Sequence, residues 1–201
     1  MCGRFENNLS AIELTDRIKK DFPEFLFRED FLMRRENISP TDNILTVVKT
    51  NGDYLFKPMG WGIKFNTDSP LLFNSRIETI KSKDFWLNLY NTNRCIVPMT
   101  GFYEWKKEED KKVPYRIFLE DYDYFFVPAL YSSKNGLPFA SLITTTTNNF
   151  MKTLHHRMPV ILLPDKGMNY LTNTLEENLI NCIPLDDSIK MRATIVDLKG
   201  R

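Results

Sequence analysis

Between residues 94 and 163 the chain is a succession of short apolar, β-branched and aromatic segments, each broken by turn chemistry. The runs near 94–98, 102–105, 114–119, 124–131, 139–145 and 158–163 read as strands. Asn51-Gly52, between the runs 44–49 and 54–57, and Asn135-Gly136 are hairpin signals, because the tight turn that matches strand twist needs positive φ at both central residues. Strands joined by such short turns pair mostly antiparallel. Helices flank them. Ser10-Ala11-Ile12-Glu13 is a capping box, with Leu9 and Leu14 placed as a hydrophobic staple. Ala11, Leu14, Ile18 and Phe22 then share one face, and Pro23 ends the helix. A second helix over about 83–91 buries Phe85, Trp86 and Leu89. Thr174-Leu175-Glu176-Glu177 opens a short helix through about Asn181, and 193–198 read as a last strand. The expected fold is α+β, one domain over 1–201, with a curved, mostly antiparallel sheet or open barrel flanked by helices.

A chain of 23.7 kDa with 42% hydrophobic residues buries about 70% of its unfolded surface, enough for a core without disulfides or metal. Its 27 Lys+Arg and 26 Asp+Glu leave a net charge of +1, with no basic tail. Any contact with nucleic acid must come from a local groove rather than a bulk field. No apolar run approaches the roughly 18 residues of a membrane span, and Met1 to Glu6 lack the apolar stretch of a signal peptide. The expected location is the cytoplasm, at the nucleoid in a bacterium.

Cysteines stand at 2, 95 and 182, too widely spaced for a disulfide framework and without a Cys-x-x-Cys pair. Cys95 and Cys182 lie in apolar surroundings and read as core packing. Cys2 differs by position. Initiator Met is generally removed before a small residue, which leaves an α-amine and a thiol on adjacent carbons. The amine has a reference pKa of about 7.7–8.0, so a fraction is neutral near pH 7. Such a 1,2-aminothiol condenses with an aldehyde: the amine forms an imine, then the thiol closes a five-membered thiazolidine.

Three other segments carry chemistry. In Gly101-Phe102-Tyr103-Glu104-Trp105, Phe102 and Glu104 share a strand face. If Phe102 faces the core, Glu104 is desolvated, its pKa rises, and it can give and take a proton. The only histidines, His155 and His156, are adjacent and point differently, a poor chelate for zinc. One catalytic His with a surface neighbour fits better, and no metal or cofactor is expected. In Leu71-Leu72-Phe73-Asn74-Ser75-Arg76, an extended chain turns Asn74 and Arg76 the same way, suited to a phosphate or carbonyl oxygen.

Taken together, these segments resemble the SOS response-associated peptidase (SRAP) family, also called abasic-site processing proteins. Met1-Cys2-Gly3-Arg4-Phe5 is similar to the family's start, Asn37-Ile38-Ser39-Pro40-Thr41 to its second motif and Trp61-Gly62 to its third. Phe73-Asn74-Ser75-Arg76-Ile77-Glu78-Thr79 resembles the fourth. Arg94-Cys95-Ile96-Val97-Pro98 running into Gly101–Trp105 resembles the fifth, and His155-His156-Arg157-Met158-Pro159 the sixth. The match runs in order from residue 2 to about 163; 164–201 carry no motif. Gly60 stands where the family often has Arg, and Ile63-Lys64-Phe65 replaces its Ile-Pro-x-Trp. Ile77 replaces a Ser and His156 an Asp, so His155 aligns with the family's catalytic His.

The resemblance implies a protein that binds single-stranded DNA at an abasic site, as a monomer, and links Cys2 to the lesion aldehyde as a thiazolidine. Glu104 would shuttle protons, His155 would assist sugar ring opening, and Asn74 would orient the Cys2 amine or the sugar. Arg4, Arg76 and Arg157 would meet phosphates, with Pro40, Trp61 and Trp105 as stacking or wedge surfaces, or Trp61 and Trp105 equally as core residues. The family's older name implies the alternative, an N-terminal-nucleophile or Cys–His peptidase, including self-removal of Met1, and a lyase activity is a further expectation. A third reading is a nucleic-acid-binding module in which Cys2 is incidental.

Overall fold

The computed structural model describes residues 2–23, 25–26 and 35–198; Met1, with its expected removal, lies outside them. The elements run β1 (Arg4–Asn7), α1 (Ala11–Asp21), β2 (Phe25–Leu26), β3 (Arg35–Ile38), β4 (Asn43–Thr50), β5 (Asp53–Trp61), β6 (Asn74–Arg76), α2 (Ile77–Ile80) and α3 (Asp84–Thr92). They continue with β7 (Arg94–Met99), β8 (Gly101–Glu108), β9 (Lys111–Leu119), β10 (Phe125–Lys134), β11 (Leu137–Thr145), α4 (Asn149–Lys152), β12 (Met158–Pro159), α5 (Pro164–Tyr170), α6 (Leu175–Asn181) and β13 (Met191–Ile195).

Local chemistry accounts for much of this. Asn51 and Gly52 take φ of 53° and 93° and join β4 to β5; Asn135 and Gly136, at 52° and 78°, join β10 to β11. The Ser10 and Thr174 capping boxes are both made, each hydroxyl accepting from the backbone N–H of a Glu three residues on.

The fold is α+β and mostly antiparallel. Strands β4, β7, β10 and β11 follow one another by antiparallel pairing, with β5 on the far side of β4. A parallel pairing of β5 with β11, Gly60 against Phe139 and Trp61 against Ala140, closes these five strands into a barrel. A second sheet, ordered β13-β9-β8-β1-β3, is antiparallel throughout. One buried cluster, including Phe5, Trp61, Met99, Phe102 and Leu142, joins this sheet to the barrel. The other packs the helices on the barrel through residues such as Leu14, Ile18, Trp86 and Phe126. Cys95 and Cys182 are free and buried in these clusters.

Three expectations are corrected. Phe85 is not buried: it is 38% exposed and packs edge-to-face against Phe65 and Trp86, because α3 turns Trp86, Leu89 and Tyr90 inward instead. The run 158–163 is a strand only at Met158–Pro159, with one further bridge from Leu162 to Phe126. The last strand begins at Met191 and ends at Ile195, where its pairing on β9 stops. Strands β1 and β3 and helix α5 were not legible in the pattern.

Candidate functional site

Pairing of β1 with β8, Arg4 against Tyr103 and Phe5 against Phe102, carries the start of the chain alongside Glu104. Cys2, just ahead of β1, is fully buried. Strand β6 pairs with β11, Asn74 against Leu142. Asn74 Nδ2 donates to the Cys2 carbonyl at 2.8 Å, so two segments 72 residues apart are tied at the reactive residue. Phe102 faces the core as expected, and Glu104, on the same face, is 3% exposed. Asn148 caps α4 by accepting from the Met151 N–H, and the His155 N–H donates back to the Met151 carbonyl. That turn sets His155 Nδ1 3.9 Å from Glu104 Oε1.

The electrostatics follow from burial. Desolvation pushes the Cys2 thiol up, and the Glu104 charge adds to it. Sγ donates to the Arg4 carbonyl at 3.7 Å. Burial likewise raises the Glu104 carboxyl. Burial lowers His155. Nδ1 of His155 lies 3.1 Å from both the N–H and the carbonyl of Arg157. A neutral Nδ1 accepts from that N–H and a protonated one donates to that carbonyl, so the backbone at 157 orients the ring in either state. Cys2, Asn74, Glu104 and His155 thus converge, and the cluster can hold and move protons beside a thiol.

The remaining residues divide. Arg4 is half-buried, donates to Asn37 Oδ1 at 3.2 Å and lies 5.8 Å over the half-exposed Trp105 ring. Arg76 is exposed and Pro40 half-buried. Two expectations are overturned. Trp61 is 1% exposed, packs edge-on to Phe5 and donates Nε1 to the Phe73 carbonyl, so it is a core residue and offers no stacking face. Arg157 is not open to phosphate. Its guanidinium is buried and committed to both Glu78 oxygens, at 2.8 and 3.0 Å, and to the Thr144 carbonyl. The histidines do not diverge: their rings stack at 4.2 Å, with His156 exposed. A tight turn between helix α4 and β12 brings them together.

Two groups escaped the sequence. Glu78, inside the fourth motif, is the partner of Arg157. Glu6 is 2% exposed and accepts from Arg116 Nε at 2.7 Å, Tyr103 Oη at 2.5 Å and Thr100 Oγ1 at 3.3 Å. Period-two alternation marks its face but not its partners. Among the described residues no group of three His, Cys, Asp or Glu could hold a metal ion, and no helix is long and apolar enough to cross a membrane.

Residues 1–197 match the family model described as SOS response associated peptidase (SRAP). The chain is 32% identical over 208 residues to the abasic site processing protein YoaM of Bacillus subtilis, covering 96% of this chain and 89% of the relative. It is 26% identical to the abasic site processing protein YedK of Escherichia coli, covering 85% and 79%. A crystal structure of a protein from Bacteroides thetaiotaomicron superposes with a TM-score of 0.82 at 23% identity, covering 98% of this chain and 93% of that one.

Proposed function

The chain belongs to the SOS response associated peptidase (SRAP) family, and on that premise we propose that it binds single-stranded DNA at abasic sites and links to them through Cys2. YoaM and YedK, which carry the abasic-site name, share most of their length with it. The observation that carries the reading is the anchoring of Cys2 by Asn74 beside Glu104 and His155.

The chemistry balances within the chain. With Met1 removed, the Cys2 amine adds to the aldehyde of the ring-opened sugar. The carbinolamine loses water to give an imine, the thiol adds to the imine carbon, and its proton passes to nitrogen. The product is a thiazolidine and one water. Glu104, with its raised pKa, is the group to protonate the departing oxygen and take the proton back on reversal. His155, neutral and oriented by the 157 backbone, assists opening of the sugar. Arg4 and Arg76 meet flanking phosphates, with Trp105 and Pro40 as base-facing surfaces.

The state of the thiol favours this over the peptidase reading. A standing thiolate nucleophile needs a lowered pKa or a basic partner on sulfur; here burial raises the thiol, and Sγ donates to a carbonyl. A thiol that acts only after imine formation needs neither. The test is a denaturing gel of the mature protein with an abasic oligonucleotide, an intact one and a peptide panel. A covalent band with the abasic strand alone is expected. Peptide turnover without that band assigns hydrolysis instead, and neither outcome leaves a binding module.

A further inference from the structure

A cavity of about 280 Å³ opens at the end of β5, away from the Cys2 cluster. Two glycines shape it. A Cβ on Gly60 would come within 2.6 Å of the Phe139 ring, and one on Gly62, at φ +123°, within 2.6 Å of Leu71. The Phe139 ring therefore lies directly on Gly60 and the Leu71 side chain directly on Gly62, and both side chains line the cavity together with Thr41 and Trp61. Lys64 and Lys134, both exposed, stand at its edge. Lys134 Nζ is steadied by the Phe65 carbonyl at 3.5 Å.

A slot with an aromatic and an aliphatic wall suits a planar ring, and ammonium groups at its mouth suit negative charge attached to that ring. Its volume falls just under the roughly 300–1,000 Å³ of pockets for drug-sized ligands, which leaves room for one ring system. Strand β11 gives its distance from the reactive cluster. Phe139 lines the slot and Leu142 lies opposite Asn74. Three residues of strand span about 10 Å, or about three nucleotides of stacked single strand at roughly 3.4 Å each.

We propose that this slot between Phe139 and Leu71 holds the base of a nucleotide flanking the lesion, turned out of the stack, with Lys64 and Lys134 on its phosphates. The proposal rests on the DNA-binding reading above and deepens it: the strand is held by an undamaged nucleotide on one side of the abasic site as well as by the lesion. Stacking of a base on one aromatic face is sequence-tolerant, so the slot takes any base and sets position rather than sequence.

The test is a base-deletion scan. Single strands carry one reactive abasic site and a second, chemically inert base-less sugar (tetrahydrofuran) placed in turn at each flanking position. Affinity is read by anisotropy with the Cys2→Ser variant, and adduct formation with wild type on a gel. Loss of one base, within about three nucleotides on one side, should weaken binding about 5- to 100-fold, the range of base–aromatic stacking. Gly60→Leu drives the Phe139 ring off its seat on Gly60 and should make binding equally weak with or without that base. The exposed pair Lys64→Glu and Lys134→Glu, which carries no folding risk, should flatten the log affinity–log salt slope by about 1.4, at roughly 0.7 per phosphate. Equal effects at every position, or an unchanged positional loss in Gly60→Leu together with an unchanged salt slope in the lysine pair, overturn the slot. A positional loss without any wild-type adduct keeps the slot and overturns the crosslinking reading; an adduct without a positional loss does the reverse.

Discussion

Glu6 and Glu104 sit on neighbouring strands of one sheet, at 2% and 3% exposure, and face opposite ways. Glu6 lies opposite Gly101 and shares the face of Tyr103; Glu104 shares the face of Phe102. On the first face a guanidinium, a phenol and a hydroxyl all point at the carboxylate. Gly101 leaves it room, since a Cβ there would come within 2.9 Å of Glu6 Oε1. On the second face the neighbour is an imidazole at 3.9 Å and a buried thiol, and the carboxyl is pushed upward. Two glutamates of similar burial therefore differ in what faces them: one with a guanidinium in contact ties β1 to β8 and β9, the other has its carboxyl pushed upward by burial and, in the proposed reading, moves protons.

That contrast breaks first under exchange of readouts. Glu6→Ala strips the partner from Arg116 and Tyr103 and should cost about 3–5 kcal/mol of stability, as removing half of a buried pair does; urea unfolding measures it. Glu104→Gln should leave the urea midpoint at about pH 4 near wild type while slowing both formation and reversal of the DNA adduct by about 10²–10⁴. Wild-type rates in Glu104→Gln, or unchanged stability in Glu6→Ala, would erase the distinction.

The histidines sharpen it next. His155→Ala should slow adduct formation by about 10² or more, the lower range for a general acid or base, whereas the exposed His156→Ala should change it by less than about threefold. Equal losses, measured by single-turnover gels, would place the proton transfer on the stacked pair rather than on His155.

A third expectation concerns pH. A carboxyl whose folded pKa is raised contributes its full stability below the unfolded value of about 4.3, and that contribution is lost as pH rises through the folded value. Glu104→Gln does not titrate. Its Tm relative to wild type should therefore climb from about pH 4 toward neutrality, and a flat difference would mean that the fold does not hold Glu104 protonated.

The smallest effect separates the arginines. Arg76→Ala should flatten the log affinity–log salt slope by about 0.7, one phosphate on single strands. Arg157→Ala should leave the slope unchanged but slow adduct formation, because losing the guanidinium's hold on Glu78 and Thr144 frees the backbone at 157 that orients His155. A changed slope in Arg157→Ala would return it to the phosphate contacts.

Much of this site could be read from residues one turn or one pleat apart. The Phe102/Glu104 alternation marked the buried acid, and the extended Asn74-Ser75-Arg76 marked the anchoring amide. The order of the motifs picked His155 over His156. Trp61 and Arg157 were misread for one reason: a motif says that a residue is needed, not which neighbours it meets. Trp61 is needed as the core contact of Phe5 and Phe73, and Arg157 as the clamp on Glu78.

What depends on near neighbours could be read directly from the residues: the Asn-Gly turns, the two capping boxes and the strand alternation. These follow from backbone sterics and hydrogen bonds that close within four residues. Only the tertiary structure decided the parallel β5–β11 pairing that closes the barrel, the 79-residue reach from Arg157 to Glu78 and the 110-residue reach from Arg116 to Glu6. Burial and charge pairing set which carboxylate meets a guanidinium and which is pushed upward by desolvation, and both are properties of what arrives from elsewhere in the chain, which no local pattern encodes.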